Sequence, residues 1–302
     1  MPAVQTNIPN QLLGQGARGW LDHSPLAGEM EVRAGDIRDR DSLARALREC
    51  DAVCHLAALI GIPYSYESPL AYLRTNIEGT YNVLESAREQ GNKPVIHTST
   101  SETYGSAQSV PIDESHPLVG QSPYSASKIG AEQLAISYQR SFGLPVTILK
   151  PFNTFGPRQS ARAVTPSIMA QLLAGAERIA LGNLTPTRDL TFVDDTCRAF
   201  LLALESGAGV GEVINLGVGK EIAIGALAER IIALSGRRAE VVSRDERKRP
   251  SASEVDRLCS DNAKARRLLG WQPTVELETG LRRTFDFVEA HLALYRPDVY
   301  AV

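Results

Sequence analysis

The chain has 302 residues, 43% of them hydrophobic and 22% charged, an ordinary folded composition and, at about 150 residues per domain, a length that allows two domains. A collagen, a disordered tail and a small disulfide scaffold are excluded. With 32 Lys and Arg against 35 Asp and Glu the net charge is −3, so no broad cationic surface exists to collect nucleic acid or anionic lipid, and neither is expected as a partner.

Residues 1–19 read as an atypical N-terminal segment. Gly14-Gln15-Gly16-Ala17-Arg18-Gly19 matches GxGxxG by letter, but that pattern has meaning only between a strand and a helix, where glycines let the backbone approach a pyrophosphate. Here it follows Asn7-Ile8-Pro9-Asn10-Gln11, which reads as no strand, and precedes Trp20-Leu21-Asp22-His23-Ser24-Pro25, which reads as no cofactor helix. From about residue 30, short β-branched runs alternate with longer amphipathic stretches, the pattern of parallel strands joined by crossover helices. Strands are predicted at Met30 to Ala34, Ala52 to Leu56, Pro94 to Thr98 and Val146 to Leu149, and helices at Ser42 to Arg48, Leu70 to Glu89 and Tyr124 to Phe142. Asp41 is placed to cap the first helix, and Gly91 and Gly143 follow the other two, where a left-handed residue is needed. This half is an open α/β sheet.

Beyond Pro151 helices are predicted at Ala163 to Ala174, Asp194 to Glu205, Ile224 to Leu234 and Glu278 to His291. Glu212-Val213-Ile214-Asn215-Leu216, bounded by glycines, reads as a strand returning to the sheet. The second half is therefore expected to be a smaller lobe interwoven with the first, giving a sheet domain over 20–152 and a lobe over 153–302. The charged run Arg244 to Arg249 reads as a solvated loop.

The longest apolar stretch, Ala52 to Ile60, is far short of the roughly 20 residues that span a bilayer, and no basic-then-apolar signal pattern opens the chain. The expectation is a cytoplasmic protein. Cys50, Cys54, Cys197 and Cys259 have no zinc spacing with any of the five histidines, so they are expected to be reduced and mostly buried, with no metal centre.

Tyr124-Ser125-Ala126-Ser127-Lys128 is a YxxxK pair just inside a predicted helix, so both side chains share one face a turn apart. A tyrosine so placed is a general acid or base, with the lysine stabilising its phenolate. A free tyrosine near 10 must fall by roughly 3 units to work at neutral pH, about 4 kcal/mol of preferential stabilisation of the phenolate. About twenty residues upstream a predicted strand ends in Thr98-Ser99-Thr100-Ser101-Glu102-Thr103-Tyr104-Gly105. Ligands of open parallel sheets sit beyond the carboxyl ends of strands, which puts these polar groups beside Tyr124 and Lys128.

On these residues, with Gly35-Asp36-Ile37-Arg38-Asp39, His55-Leu56-Ala57-Ala58, Thr75-Asn76-Ile77-Glu78-Gly79-Thr80, Pro151-Phe152-Asn153, Arg188-Asp189, Val193-Asp194-Asp195 and Asn262 through Trp271, the chain resembles the extended short-chain dehydrogenase/reductases of the nucleotide-sugar epimerase/dehydratase family. The resemblance implies a Rossmann-like doubly wound parallel sheet with a substrate lobe. It also implies an opening β-α-β unit that is not visible here. Trp20-Leu21-Asp22 resembles the segment after that unit's second strand, so roughly forty residues, the usual size of such a beginning, are expected to be absent or replaced by residues 1–19.

Thr100-Ser101-Glu102 is similar to the active-site triplet of 4,6-dehydratases of the GDP-mannose type. The implied reaction oxidises C4, eliminates water across C5 and C6, and returns the hydride to C6. Thr100 is implied to hold the C4 oxygen, Ser101 to assist protonation of the leaving hydroxyl, and Glu102 to remove the C5 proton, with Tyr124 and Lys128 as the acid/base pair. The implied cofactor is NAD, with Asp36 and Ile37 at the adenine and Leu56, Ala57, Ala58 and Asn76 along its middle. Thr98, Tyr124, Lys128 and Pro151 would border its nicotinamide end. Asn153, Arg188 and Arg249 are implied at the substrate diphosphate. Ile62 to Tyr66, Gly120 to Pro123, Pro157 to Ala163 and Tyr295 to Tyr300 resemble UDP-N-acetylglucosamine 4,6-dehydratases of the legionaminic-acid type, implying UDP-GlcNAc as the substrate. A homodimer through a four-helix bundle of the helices Leu70 to Glu89 and Tyr124 to Phe142 is also implied. Three readings stay open: this dehydratase; a UDP-glucuronate decarboxylase or 4-epimerase of the same family; and a truncated, cofactor-free paralogue without activity.

Overall fold

The computed structural model describes residues 3–6 and 19–295. The strand β1 (Ala3–Thr6) pairs in parallel with β2 (Glu31–Ala34), in register Ala3 to Glu31. The sequence reading found no strand in the first nineteen residues. Ala3–Thr6 is too short for its alternation to stand out, and only the ladder with β2 identifies it. A 3-10 helix, Gly19–His23, precedes β2. The stretch Gly14 to Arg18 lies outside the described residues.

Helix α1 (Arg40–Leu47) is capped not by Asp41 but by Asp39, whose Oδ1 accepts from the Ser42 amide at 3.0 Å. Asp41 falls inside the first turn. After β3 (Val53–His55) and α2 (Ile62–Glu67), the predicted helix Leu70 to Glu89 is three pieces: α3 (Pro69–Tyr72), a π-helical turn (Leu73–Glu78) and α4 (Gly79–Glu89). The wider turn carries Asn76, and such insertions commonly serve a site. Next come β4 (Val95–Thr98), α5 (Pro123–Phe142) and β5 (Val146–Pro151). Gly143 closes α5 at φ 66°, its amide donating to the Gln139 carbonyl.

The remaining elements are β6 (Asn153–Phe155), α6 (Val164–Leu173), β7 (Arg178–Leu181), β8 (Thr187–Phe192), α7 (Val193–Ser206), β9 (Val213–Leu216), β10 (Glu221–Ala223), α8 (Ile224–Ser235), β11 (Glu240–Ser243), α9 (Ala263–Leu269), α10 (Leu277–Ala290) and α11 (Leu292–Tyr295). Strands β6, β7, β8, β10 and β11 were not predicted. They are short, and β8 carries Thr187, Arg188 and Asp189, which mimic loop composition although the strand is almost wholly buried.

Among the described residues, β3-β4-β5-β9 form one parallel sheet, β1-β2 a separate pair, β6-β8-β10 a mixed sheet, and β7-β11 a parallel pair. Alternation along the four-stranded sheet feeds two cores. Val95, Val146 and Ile148 pack with Leu43, Leu84 and Ala135 on one face. On the other, Ile96, Leu149, Ile214 and Leu216 pack with Phe200 and Trp271. Both faces are covered, as a doubly wound parallel sheet requires. The lobe has its own core, centred on Phe155, Ile168, Met169, Ile179, Leu227 and Phe285.

All four cysteines are free, but only Cys259 is buried; Cys54 and Cys197 are exposed and Cys50 intermediate. The expectation of mostly buried thiols fails because Cys54 alternates with the buried His55, and Cys197 lies off the face of α7 that packs through Thr196, Ala199 and Phe200. Among the described residues no helix is long and apolar enough to cross a membrane.

Candidate active site

The end of β4 and the first turns of α5 build the centre of the site. Beyond Thr98 the backbone turns into a 3-10 helix, Ser101–Tyr104, capped by Thr100, whose Oγ1 accepts from the Glu102 amide at 3.3 Å. Helix α5 opens with a reciprocal cap: Ser122 Oγ accepts from the Ser125 amide at 3.1 Å, and Ser125 Oγ from the Ser122 amide at 2.9 Å. This fixes the turn that carries Tyr124, with Lys128 one turn later. The Thr100 hydroxyl and the Glu102 carboxylate are both close enough to act on the Tyr124 phenol. Glu102 and Ser101 are both buried. Thr100, Glu102, Tyr124 and Lys128 thus converge from a strand end and a helix start.

Lys128 does not pair with the phenol. Its Nζ donates to the Thr98 carbonyl at 2.6 Å. Burial lowers its pKa to about 8, partly opposed by the negative charge of Glu132 one turn further on. Burial pushes the Tyr124 phenol up, against the effect of the Thr100 hydroxyl. The phenolate stabilisation expected from the ammonium is thus not made in the protein alone. A second buried layer supports the first: Glu132 accepts from the Ser99 hydroxyl and from Lys150 Nζ at 3.1 Å, and that ammonium sits 4.0 Å from the centre of the Tyr104 ring. Tyr104 in turn donates to Asn215 Oδ1 at 2.8 Å. Glu132 and Lys150 escaped the sequence reading because a charged pair in a helix and a strand reads as surface.

Just beyond β2, Asp36 is held by Arg38, and their hydrogen bond keeps its carboxyl below the usual range. Ile37 is buried against Gly79, where any Cβ would collide with it. Ala57 and Ala58 are half-buried and Leu56 is exposed. Asn76 spends its amide on the Leu59 amide (2.8 Å), the Leu59 carbonyl (3.0 Å) and Ser127 Oγ (2.9 Å). It acts on this edge by bracing the 57–61 loop, not through a free polar group. Thr98 Oγ1 is buried without a partner, beside the carbonyl that anchors Lys128, and Pro151 ends β5 two residues beyond Leu149, which faces Thr98 in the ladder. An unpartnered hydroxyl, an ammonium and a phenol at one strand end fit a hydroxyl-rich group such as a nicotinamide riboside.

A cavity of about 320 Å³ opens in the lobe, lined by Asn153, Gln159, Arg162, Asn183, Arg188, Arg249 and Glu254 among others. Asn153 Oδ1 is buried and unpartnered. Arg188 is buried, which lowers its pKa, and its Nη1 donates to the carbonyls of Thr187 (2.9 Å) and Val255 (2.8 Å). Thr100 and Tyr124 lie outside this lining. Arg249 joins the two regions, its Nη1 lying 3.7 Å from Glu102 Oε2. Arg247 and Arg249 both line the cavity, so the run Arg244 to Arg249 is not simply a solvated loop. Glu254, Asn183 and Gln159 were not singled out as site residues from the sequence, since loop residues carry no periodicity that marks their direction, whereas Arg162, open from the sequence between substrate and partner subunit, lines the cavity.

The chain matches the family profile described as GDP-mannose 4,6 dehydratase over residues 15–284. It is 33% identical to a dTDP-glucose 4,6-dehydratase of Streptomyces antibioticus over 299 residues, covering 98% of this chain and 86% of that one. Among solved structures it is similar to a double mutant of DesIV, a dTDP-glucose 4,6-dehydratase from Streptomyces venezuelae, with NAD and DAU bound, at a TM-score of 0.85 and 30% identity, covering 98% of this chain and 89% of that one. It is also similar to a UDP-glucuronic acid 4-epimerase from Bacillus cereus in complex with UDP-glucuronic acid and NAD, at a TM-score of 0.81 and 30% identity, covering 90% and 87%.

Proposed function

The chain belongs to the GDP-mannose 4,6 dehydratase family, within the NAD-dependent nucleotide-sugar dehydratases and epimerases, and from that premise we propose that it is a 4,6-dehydratase acting on UDP-N-acetylglucosamine. The observation that carries the reading is the buried Glu102 carboxylate beside Thr100 and Tyr124. A 4-epimerisation inverts C4 alone and gives a carboxylate at that place no proton to remove, whereas elimination across C5 and C6 requires a base.

NAD supplies a reversible hydride acceptor when bound. Tyr124 takes the proton of the C4 hydroxyl, and Thr100 holds the same oxygen. Lys128, kept cationic with the help of Glu132, orders the ribose hydroxyls and lowers the cost of the phenolate. Once C4 is a carbonyl, the C5 proton is acidic; Glu102 removes it while Ser101 helps deliver a proton to the C6 hydroxyl, which leaves as water, and the stored hydride then returns to C6 as a solvent proton is added at C5. Asn153, Arg188 and Arg249 hold the diphosphate, where the planar fork of arginine suits phosphate oxygens. The choice of UDP-GlcNAc is supported by the runs Ile62 to Tyr66 and Pro157 to Ala163, from which Pro63, Gln159, Arg162 and Ala163 line the lobe cavity. Two copies pair through α3, α4 and α5, a reading supported by exposed Leu70, Leu73, Tyr81 and Phe142 on those segments.

Incubation with NAD and UDP-GlcNAc in deuterated water tests the assignment. The expected product carries deuterium at C5 and a methyl group at C6 by NMR, and Glu102→Gln abolishes both while UDP still binds. An unchanged C6 hydroxymethyl group with inverted C4 indicates the epimerase, and loss of carbon dioxide from UDP-glucuronate the decarboxylase. Failure to bind NAD in calorimetry makes the chain a cofactor-free paralogue. A monomer in sedimentation removes the helix-bundle dimer.

A further inference from the structure

Arg249 stands between two carboxylates and is bonded to neither. Its Nη1 is buried with no hydrogen-bond partner, 3.7 Å from Glu102 Oε2 and 3.8 Å from Glu254 Oε1. A closed arginine–carboxylate pair has contacts of about 2.7–2.9 Å, frequently two in parallel, so the Glu102 pairing is held open. Glu254 is the better anchored of the two carboxylates. Its Oε2 accepts from Asn183 Nδ2 at 3.1 Å, and its Oε1 lies 3.6 Å from Arg188 Nη2. Arg188 is itself fixed by the carbonyls of Thr187 and Val255.

We propose that Glu254 is a positioning residue that keeps Arg249 from closing on Glu102, so that the Glu102 carboxylate stays free to take a proton from the sugar. The inference rests on the role of Glu102 as the base. A carboxylate locked into a bidentate pair has its lone pairs occupied and is a poorer proton acceptor. With Glu254 neutral, the guanidinium has one anion left to approach. The effect falls on proton abstraction, not on nucleotide binding, because neither arginine leaves the cavity.

Glu254→Gln retains the shape and removes the charge. Its expected signature is a fall of about tenfold or more in exchange at C5, with UDP binding by calorimetry unchanged or tighter. Glu254→Asp, which keeps the charge, recovers part of the rate. Asn183→Ala, which loosens Glu254 without removing it, gives a smaller loss in the same step and serves if Glu254→Gln does not fold. Unchanged C5 exchange in the folded variants overturns the proposal, as does a loss of UDP affinity in step with the rate, which marks Glu254 as scaffolding only. No C5 exchange in the unsubstituted protein overturns the dehydratase reading and this one together.

Discussion

Replacing Lys128 with Met is expected to make the protein more stable while removing its use of a cofactor. The Lys128 ammonium is buried, it donates to the Thr98 carbonyl, and burial brings its pKa from 10.5 to about 8. At about 1.4 kcal/mol per unit, holding that charge costs the folded state about 3 kcal/mol at neutral pH. Losing the bond to Thr98 subtracts about 1 kcal/mol, and Met fills a similar volume at little packing cost. The net gain is about 2 kcal/mol. The sign of the pH dependence follows from the same shift. Between pH 8 and 10.5 the unfolded chain binds the proton that the folded chain has released, so the Lys128 contribution makes stability rise with pH over that window, and Lys128→Met removes it. Urea unfolding at pH 7 and pH 9.5, on both proteins, measures the two effects. A variant no more stable than the parent at pH 7, with the same change between the two pH values, refutes the account of Lys128 as a destabilising functional charge.

Two further pairs of substitutions test the local structure. Asp39→Ala removes the cap of α1 and is expected to cost about 1 kcal/mol in urea unfolding, whereas Asp41→Ala stays within about 0.5 kcal/mol; the reverse order means that the cap is misassigned. Asp195 is buried and accepts from the Thr274 and Val275 amides, both at 2.9 Å, and from the Thr274 hydroxyl and Arg198 at 2.7 Å. Asp195→Ala strands those donors and is expected to cost about 3 kcal/mol or more, while Asp194→Ala, on the exposed side, changes unfolding little.

What was legible in the sequence was local. Helices α4, α5 and α8 present apolar residues at helical spacing, and the interior strands are β-branched runs, so each signal sits within one segment. The candidate cluster was legible for the same reason, since Thr100 to Glu102 and Tyr124 to Lys128 are contiguous words. The choice between Asp39 and Asp41 as the cap was not, because both are acids at the same helix start and only backbone geometry separates them. Strand β8 was hidden because Arg188 and Asp189 look solvated until their partners, Val255 and Ser260, arrive from some seventy residues away. Glu254 and Asn183 were hidden by the same distance. Strand β1 was missed because four residues of ordinary composition mean nothing without β2.

The return of β9 to β5 has a mechanical consequence. Phe152 donates its amide to the Leu216 carbonyl across that ladder, Asn215 is tied to both Tyr104 and Ile112, and Asp189 in the lobe accepts from Val218 and Gly219 just beyond it. Hydrogen bonds to Asp189 therefore tie the lobe to the chain just beyond β9, and a rigid rotation of the lobe would tear that seam. The cleft cannot work as a pair of jaws. Sugar entry and departure fall instead to side chains and loops at the rim, Arg249 and the 57–61 segment among them, and cutting the chain at the 152/153 junction would release no independently folding half.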